Sequence, residues 1–437
     1  MALLSKSKYL TGLQCPYLLW AVFNKKDLIP PYDESTLHTF KQGELVGEFA
    51  KKLFPKGIDI PQMPFMENIA KTTHLLKKRK PLFEAGFKTG NLYARADILK
   101  PAGKDKWDLI EVKSATNVKE INLHDVSFQK YVLEQCGLKI RKCYLMHINN
   151  KFVKKGKISP KKLFTLSDIT EDVTLAINGM ENRISAMFEI ISSKNSPECE
   201  IGTQCSNPYH CSLKDSCWAG VPENSVISFY RMGKQAFELI NNGIETISNV
   251  PDDYKLNAKQ IIQCNCEKDC KPHINKAKIK EFIKSLEYPL YFLDFETFNT
   301  AIPIYDSSRP FQQIPFQFSL HILTSPDAKP VHHSYLASSP RKIRESFLKE
   351  LKSVLGTSGS IVVYNQAFEI RILNELADYM PKEKKHICCI TARITDLLLP
   401  FRNFDYYNPK QKGSASLKKV LPAITGKTYK HLEIADG

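Results

Sequence analysis

Two separate stretches of the chain alternate between strand-like and helix-like sequence patterns. Between 82 and 150, the segments "LFEAGFKTGNLYARADIL" and "WDLIEVKSAT" have the period of two that is typical of half-buried strands, and the helix-like "HDVSFQKYVLEQCGL" follows them. From 288 onward, the strand-like "YPLYFLDFET", "FQFSLHIL" and "SIVVYN" are interleaved with helical segments. Because 437 residues also exceed what a single core usually accommodates, we expect two α/β domains, at 1–220 and 286–437, joined by a helical, Lys-rich connector at 221–285.

The balance of charged residues indicates the kind of partner. The chain has 62 Lys and Arg against 46 Asp and Glu, which gives a formal net charge of +16. Such an excess favours a polyanionic partner, and nucleic acid is the commonest one, although a basic surface can also serve solubility alone. We expect nucleic acid as the partner.

The location of the protein follows from what its sequence lacks. No apolar run reaches the ~18–20 residues that span a bilayer. The first residues, "MALLSKSKYLTG", do not contain the apolar region of a secretory signal. We therefore expect a cytoplasmic protein without membrane contact. Its 12 cysteines are then more suited to metal or cluster ligation than to disulfides, because that compartment keeps thiols reduced.

One predicted hairpin brings two carboxylates and a lysine to the same face of a sheet. The segment "ARADILKPAGKDKWDLIEVK" has the form of a hairpin with its tip near Lys104, which places 97 opposite 111 and 99 opposite 109. Asp97 and Glu111 then point to one face, and Lys113, two residues further on, points there too. Mg²⁺ is often held by one or two carboxylates plus waters and phosphate oxygens. The alternative is an ordinary cross-strand arrangement of charges on a solvated face.

This hairpin, with Asp, then Glu-x-Lys, then a helix carrying Gln, resembles the PD-(D/E)XK nucleases and specifically their RecB-like branch. The resemblance implies a restriction-endonuclease-like fold with Asp97, Glu111 and Lys113 as the catalytic core, and with Mg²⁺ or Mn²⁺ on the two acids. Gln129 in "FQKYVLEQ" resembles the Gln of the family's following helix, for which Asp125 is the expected N-cap.

The outer residues of the motif depart from the family pattern. The family usually has a Tyr four residues after the Gln, where this chain has Leu133, and its Tyr131 comes earlier. The family also often has a His in an upstream helix. The comparable helix here reads "GELVGEFA" and offers Glu44 and Glu48 instead, of which we favour Glu48 as a further metal ligand.

A lone cysteine near the start of the chain has candidate partners about 190 residues later. The segment "CEIGTQCSNPYHCSLKDSCW" holds Cys205, Cys211 and Cys217 with C-x5-C-x5-C spacing, which is wider than that of a zinc knuckle but compatible with an iron–sulfur cluster. Iron–sulfur RecB-like nucleases of the CRISPR-associated exonuclease type resemble this layout, with one cysteine before the core, often in Cys-Pro, and three after it. Cys15 in "LQCPYLLW" matches the first. The resemblance implies a [4Fe–4S] cluster on Cys15, Cys205, Cys211 and Cys217 that staples the two ends of the domain. Cys199 as the fourth ligand, zinc as the metal, and buried free thiols are the alternatives.

A second group of cysteines occurs in "CNCEKDCKPH". Cys264, Cys266, Cys270 and His273 could bind zinc, although C-x-C spacing is uncommon for a closed zinc site.

A second set of acids lies in the C-terminal pattern. In "YFLDFET", Asp294 and Glu296 are two residues apart on a strand and face one side, where a cation would compensate them. They resemble the first motif of DnaQ-like (DEDD) exonucleases, which have an RNase-H-like fold. "VVYNQAFEIRIL" resembles the second motif: Asn365 and Phe368 match, and Glu369 replaces the usual Asp. The resemblance implies two Mg²⁺ or Mn²⁺ ions on Asp294, Glu296 and Glu369. The alternative is a solvated surface strand.

The final acid of that motif set is not evident in the sequence. DnaQ-like enzymes place one more Asp on a helix after the last strand. Asp396 in "ITDLLLPF" and Asp405 come earlier than that helix should, and Asp436 is the penultimate residue. We therefore expect a truncated second domain that lacks its final carboxylate and has little exonuclease activity, which leaves the first domain as the main catalyst.

The whole chain resembles an uncharacterised prokaryotic family that fuses an iron–sulfur RecB-like nuclease to a DnaQ-like domain. The function that this resemblance implies is metal-dependent hydrolysis of DNA, in repair, recombination or defence. The alternatives are a nucleic-acid-binding iron–sulfur protein whose second domain is an inactive docking module, and a regulatory protein that senses redox state.

Overall fold

The computed structural model describes residues 2–428, which form two compact units of mixed α/β structure. The first unit comprises the residues up to Ala219 together with Thr300–Gln312, and the second comprises Gly220–Asn299 and the residues from Gln313 onward. The α/β class expected from the sequence is confirmed. Residues 221–285, which the sequence suggested as a connector, fold as part of the second unit. None of the helices in the described range is long and apolar enough to cross a bilayer.

The first unit is built around a mixed sheet, which has seven strands in the described part of the chain. The strands are β1 (Leu4–Ser5), β2 (Ile58–Asp59), β3 (Leu82–Thr89), β4 (Leu92–Ala102), β5 (Lys106–Lys113), β6 (Lys139–Ile148) and β7 (Phe164–Asp168). The helices are α1 (Lys6–Gln14), α2 (Pro16–Asn24), α3 (Glu34–Lys51), α4 (Phe65–Leu76), α5 (Glu120–Gln135), α6 (Pro160–Leu163), α7 (Thr170–Ile177), α8 (Met180–Ser192) and α9 (Lys214–Cys217). Strands β2 to β7 are neighbours in chain order, and β1 pairs with β4.

The β4–β5 hairpin forms in the register that the sequence predicts. Leu99 lies opposite Leu109, and the turn falls at 103–105, next to the expected tip. Leu99 and Leu109 pack into the core that contains α5, whereas Ile98 and Ile110 face the opposite side of the sheet and pack beneath α3. Both faces of the hairpin are therefore covered, and its β5 strand continues in parallel pairing with β6.

The second unit contains a five-stranded sheet and, within the described residues, a two-stranded one. The strands are β8 (His273–Ile274), β9 (Leu290–Phe298), β10 (Ile314–Leu323), β11 (Val331–Leu336), β12 (Ile361–Val363), β13 (Ile394–Asp396) and β14 (Tyr406–Tyr407). The helices are α10 (Lys234–Asn241), α11 (Ala258–Asp269), α12 (Lys276–Lys284), α13 (Ile343–Val354), α14 (Gln366–Tyr379), α15 (Lys384–Thr391), α16 (Leu399–Arg402) and α17 (Leu417–Thr425).

The order of the larger sheet is β11-β10-β9-β12-β13. Strands β9, β10 and β11 are antiparallel neighbours, whereas β12 runs parallel to β9 and β13 runs parallel to β12. Its core includes Leu293, Phe318 and Phe347. The carboxyl ends of the parallel strands β9, β12 and β13 therefore meet at one edge of the sheet.

Candidate active sites

In the first unit, the residues singled out on the hairpin and on α5 meet in one hydrogen-bonded group around Glu111. Glu111 is only 1% exposed. Its Oε1 accepts a hydrogen bond from Lys113 Nζ at 2.7 Å, and its Oε2 accepts one from Gln129 Nε2 at 2.7 Å. Gln129 is fully buried, and its own Oε1 has no hydrogen-bond partner among the described residues. Burying such polar groups is costly unless they are paired, so this network fixes the position of the Glu111 carboxylate.

Asp97 joins the group from the neighbouring strand. The β4–β5 pairing runs as far as Ile98 opposite Ile110. Just beyond it, Asp97 Oδ2 accepts a hydrogen bond from the Val112 backbone N–H at 2.9 Å. The carboxylate of Asp97 therefore leans toward the strand that carries Glu111, as the predicted register requires.

The group also contains two residues that the sequence did not indicate as site residues. Lys6, the first residue of α1, places Nζ 2.7 Å from Glu111 Oε1 and 3.9 Å from Asp97 Oδ1. Asp125 was expected as a helix N-cap, but α5 begins at Glu120 and Asp125 is a buried interior residue. Its Oδ2 accepts from Lys113 Nζ at 2.6 Å and its Oδ1 from Gln129 Nε2 at 2.9 Å. The spacing of four between Asp125 and Gln129 was the signal available in the sequence, because such residues share a helix face.

The two lysines compensate the buried carboxylates. Burial lowers the pKa of Lys6, but the carboxylates of Asp125, Glu111 and Asp97 outweigh this effect and raise it above its ordinary value. Burial also opposes the charge on Lys113, and Glu111 and Asp125 again raise its pKa well above the ordinary value. Both ammonium groups therefore stay charged at neutral pH.

Glu48 is not part of the group around Glu111, but it lines a cavity that Asp97 also lines. Its side chain is exposed and pairs with Lys51, whose Nζ lies 2.8 Å from Glu48 Oε1. Glu44, Glu48 and Asp97 all line a cavity of about 190 Å³ under α3. A ligand in this cavity could therefore reach Glu48 and Asp97 together.

The cysteines near both ends of the first unit come together. Cys15 Sγ lies 3.6 Å from Cys199 Sγ. Burial and the charges of neighbouring thiols, Cys15 first, raise the pKa of Cys199 to about 12. Burial also raises the pKa of Cys211 and Cys217, and the nearby Cys15 and Cys205 add to this effect in both cases. The four thiols predicted as ligands therefore lie near one another, and the Cys199 thiol is a fifth member of this group.

The second group of cysteines does not converge in this way. Cys264 packs in the apolar cluster of Val226 and Leu239, whereas Cys266 packs with Phe404 and Tyr407. Cys270 is exposed.

In the second unit, the acids noted in the sequence lie at the carboxyl edge of the sheet. Asp294 and Glu296 are on β9, and Glu369 is in the first turn of α14. Glu369 is 3% exposed, and its Oε2 has no hydrogen-bond partner among the described residues. Burial, reinforced by the charges of Asp294 and Asp396, raises its pKa to about 7. Burial likewise raises the pKa of Asp294 and of Glu296, and Asp294 adds to the latter.

Asp396 lies near Glu369, at the end of a strand rather than on a helix after the last strand. It ends β13 and is 3% exposed. Its Oδ1 accepts the backbone N–H groups of Asn365 at 2.9 Å and Leu398 at 3.0 Å. Asp405, in contrast, lies beside β8, where its backbone carbonyl accepts the Asn275 N–H. Asp436 is outside the described residues.

Across residues 2–428, no three or more His, Cys, Asp or Glu side chains are already spaced as a metal site. The residues present nevertheless suit the expected groups by their chemistry. Lys6 Nζ contacts both Glu111 and Asp97, so these two carboxylates converge on a position that favours positive charge. Glu369 is a buried acid without a partner, and the cysteines are thiols that influence one another.

Comparisons with known proteins give similarity to proteins of unknown function. Residues 291–416 match the family described as "Domain of unknown function (DUF2779)". The chain is 30% identical over 193 residues to "Uncharacterized protein UU173" of Ureaplasma parvum, and 29% identical over 164 residues to "Uncharacterized protein MG366 homolog" of Mycoplasma pneumoniae. These matches cover 40% and 34% of this chain, but only 28% and 24% of the relatives, so the chain spans about a quarter of their length. Among solved structures, "Crystal structure of SSO0001" is similar at 14% identity over 50% of this chain and 87% of that one, with a TM-score of 0.25.

Proposed function

We propose that the protein is a metal-dependent nuclease that hydrolyses phosphodiester bonds, with DNA as the favoured substrate. The observation that carries this proposal is the group around Glu111. Asp97, Glu111, Lys113 and Gln129 were chosen from the sequence as a hydrolytic site. The last three share hydrogen bonds, and Asp97 is joined to them through Lys6, whose Nζ lies 3.9 Å from Asp97 Oδ1. A solvated cross-strand arrangement does not account for a Glu that is 1% exposed.

Each side chain of the network has a distinct role in such a reaction. Asp97 and Glu111 would hold Mg²⁺ or Mn²⁺, which supplies activation of water and neutralisation of phosphate charge. The Lys113 ammonium, held by Asp125, is placed to orient the attacking water or to stabilise charge on the phosphate. Gln129 holds the second oxygen of Glu111, so that the carboxylate keeps one orientation.

The second unit would contain a second hydrolytic centre. Its sheet, with three antiparallel strands followed by two parallel ones, supports the RNase-H-like fold that the resemblance implies. Asp294, Glu296, Glu369 and Asp396 would hold the metal ions. The raised pKa values of Asp294, Glu296 and Glu369 suit a cation site, and the part of the chain that the structure describes has no lysine or arginine in ion-pair contact with these three acids. Asp396 would provide a fourth acid, so we propose an active second centre in place of the inactive one first expected.

The cysteine group would hold a [4Fe–4S] cluster through Cys15, Cys205, Cys211 and Cys217. The proximity of all four thiols supports this assignment. The alternative is zinc, and the Cys15–Cys199 distance of 3.6 Å favours it, since two thiolates on one zinc at ~2.3 Å bonds lie close together. Thiolates on different irons of a cluster lie further apart, so we propose Cys205, Cys211 and Cys217, rather than Cys199, as the ligands that join Cys15.

A second candidate function is binding of nucleic acid without hydrolysis. Lys6 and Lys113 already neutralise much of the charge at Glu111, which is the observation that favours it. The net charge of +16 supports nucleic-acid binding under either function.

Cleavage of labelled DNA and RNA by a double variant, Glu111→Gln with Asp294→Asn, tests the proposal. Full-length protein is incubated with single- and double-stranded substrates in Mg²⁺, in Mn²⁺ and in EDTA. We expect metal-dependent cleavage that falls at least about 100-fold in a Glu111→Gln, Asp294→Asn double variant, with binding in EDTA unchanged. Glu171→Gln, an exposed acid on α7, is the matched control. Tight binding without any cleavage by the unsubstituted protein would favour the second candidate.

A further inference from the structure

The hydrolytic roles proposed for the first unit do not include Lys6, although this residue contacts three of its acids. Lys6 Nζ lies 2.7 Å from Glu111 Oε1, 3.5 Å from Asp125 Oδ1 and 3.9 Å from Asp97 Oδ1. Among the described residues, Lys6 is the lysine that forms ion pairs with both Asp97 and Glu111. Its ammonium group therefore contacts both carboxylates that we propose as metal ligands.

The hydrogen-bond donors around Glu111 leave little of its carboxylate free. A carboxylate offers about four lone-pair positions. Oε1 of Glu111 accepts from Lys6 and Lys113, and Oε2 accepts from Gln129, which is fully buried. Lys113 Nζ is held a second time, at 2.6 Å from Asp125, whereas Lys6 Nζ is 3.5 Å from that residue. Lys6 is therefore the donor that can leave Glu111 most readily.

The backbone that carries Lys6 is held on both sides. Before it, Leu4 and Ser5 pair in parallel with β4. After it on α1, Tyr9 is fully buried, and its ring stacks on that of Phe128 in α5 with 4.8 Å between the ring centres. The Lys6 side chain, in contrast, is 25% exposed and flexible. Lys6 can therefore move its ammonium group away from the acids while its backbone stays in place.

We propose that Lys6 competes with a divalent cation for Asp97 and Glu111, so that metal binds the first centre only after the Lys6 ammonium has left these carboxylates. The inference rests on the proposed function, because it takes the two acids as metal ligands. Two cations on the same pair of carboxylates repel each other, and water screens this repulsion poorly beside a buried acid. Lys6 thus lowers the affinity of the first centre for metal.

Direct measurement of metal binding tests this competition. Mn²⁺ is titrated into full-length protein without nucleic acid, and the free ion is measured by electron paramagnetic resonance. All proteins carry Asp294→Asn and Glu369→Gln, which remove two acids of the second centre. We expect Lys6→Met to lower the Kd for Mn²⁺ about tenfold or more, and Lys6→Arg, which keeps the charge, to change it less than about threefold.

The matched control is Lys8→Met, which removes the same charge from the same helix. Lys8 Nζ lies over the ring of Phe23, 4.3 Å from its centre, so we expect its loss to change the Kd less than about twofold. Equal changes in Lys6→Met and Lys8→Met would overturn the proposal, because they would show only a general charge effect. An unchanged or higher Kd in Lys6→Met, or no Mn²⁺ binding by that variant, would also overturn it.

Chemical labelling follows Lys6 in the unsubstituted protein, so this second test does not depend on the folding of a variant. The protein is acetylated with an N-hydroxysuccinimide ester with and without Mg²⁺, and mass spectrometry gives the rate at each lysine. We expect Mg²⁺ to raise the rate at Lys6 about threefold or more and to leave Lys8 unchanged, because an ammonium group that has left the carboxylates loses its proton more readily. An unchanged rate at Lys6 in saturating Mg²⁺ would overturn the proposal. Absence of cleavage despite the expected metal binding would count against the proposed function alone.

Discussion

Glu369 and Glu111 are almost equally buried, but the groups around them differ in charge. Glu111 accepts hydrogen bonds from two lysines and an amide. Glu369 lies near two other acids, and its Oε2 lacks a partner in the described part of the chain. Lysine and amide donors therefore surround the first acid, whereas the second is stabilised as a neutral acid until a cation arrives.

The first prediction concerns how Glu369 makes the stability of the folded protein depend on pH. Its pKa is raised to about 7 in the folded protein, from 4.5. The folded state therefore holds a proton that the unfolded state releases, so stability decreases as pH rises from about 4.5 to about 7. At about 1.4 kcal/mol per pKa unit, the penalty above pH 7 is roughly 3 kcal/mol. We expect Glu369→Gln to stabilise the second unit by up to this amount at pH 8, and to have little effect near pH 4.5.

Thermal unfolding at pH 5 and pH 8 in EDTA measures this difference. Glu350→Gln, on the exposed face of α13, is the matched control and should shift the Tm equally at both pH values. Adding Mg²⁺ at pH 8 should stabilise the unsubstituted protein more than Glu369→Gln, because the cation favours the carboxylate. A Glu369→Gln effect that is the same at pH 5 and pH 8 would contradict the prediction.

At the scale of elements, the sequence predicted what depends on local pattern and missed what depends on distant chain segments. The β4–β5 hairpin was predictable because its apolar residues alternate, and this alternation fixes which residues face each other. Lys6 was not predictable, since only the pairing of β1 with β4 brings the start of α1 to the site. Asp396 was noted in the sequence, but its proximity to Glu369 was not predictable for the same reason: its place depends on β13 pairing with β12. Asp125 was misplaced because the N-cap of α5 is Lys119, well before the position that its N-cap signal suggested.

The second prediction concerns the contact between β3 and α4. A Cβ atom on Gly86 would lie 2.1 Å from Asn68 Oδ1, and Asn68 is itself held by the Glu84 carbonyl. The Asn68 side chain would have to leave this position, so we expect Gly86→Ala to destabilise the first unit by about 1–3 kcal/mol. Gly43→Ala is the matched control: nothing lies within 4 Å of its Cβ, and Ala is favoured over Gly in a helix such as α3. Chemical denaturation should show a lower free energy of unfolding for Gly86→Ala and a higher one for Gly43→Ala. A change in the same direction for both variants would count against this packing.

The third prediction concerns the contact between the junction of α1 and α2, at Gln14 and Cys15, and the segment 199–217 that carries the other cysteines. Gln14 Nε2 donates to the carbonyls of Gln204 and Tyr209, and Cys15 Sγ accepts the Leu18 N–H at the start of α2. If thiolates bind a cluster here, metal binding and folding are coupled. We expect Cys15→Ser to lose the cluster and to lower the Tm of the first unit. Cys199→Ser should retain the cluster and leave the Tm unchanged.

Anaerobic purification with iron, sulfide and zinc analysis provides the measurement for this third prediction. The unsubstituted protein should be brown with bound iron, as thiolate-ligated clusters are. Cys199→Ser should retain the iron, and Cys270→Ser, an exposed thiol elsewhere, serves as the control for loss of a cysteine. Stoichiometric zinc that is lost in both Cys15→Ser and Cys199→Ser would instead support the zinc alternative.

At the scale of the whole molecule, the chain joins two compact units that each contain a separate set of acids. Lysines neutralise the first set, whereas none of the lysines in residues 2–428 forms an ion pair with the second set. The sequence suggested both sets from short motifs, but it could not show how each is compensated, because the compensating groups come from remote elements. Two chemically different centres in one chain predict two activities with different metal requirements.

The fourth prediction is that these two activities are separable. We expect Glu111→Gln and Asp294→Asn each to remove part of the cleavage, and the double variant to remove nearly all of it, because changes at sites without shared partners act independently. Among the described residues, no lysine forms an ion pair with the acids of the second centre, whereas two lysines do so at the first. Glu111→Gln leaves only the second centre active, and Asp294→Asn leaves only the first. We therefore expect the Glu111→Gln variant to reach its half-maximal rate at a lower Mg²⁺ concentration than the Asp294→Asn variant. Rates over a Mg²⁺ titration, with labels at either end of single- and double-stranded DNA, measure both effects. If Asp294→Asn leaves rate, products and Mg²⁺ dependence unchanged while Glu111→Gln abolishes cleavage, the acids of the second unit do not form a hydrolytic centre, and only the first unit acts as the nuclease.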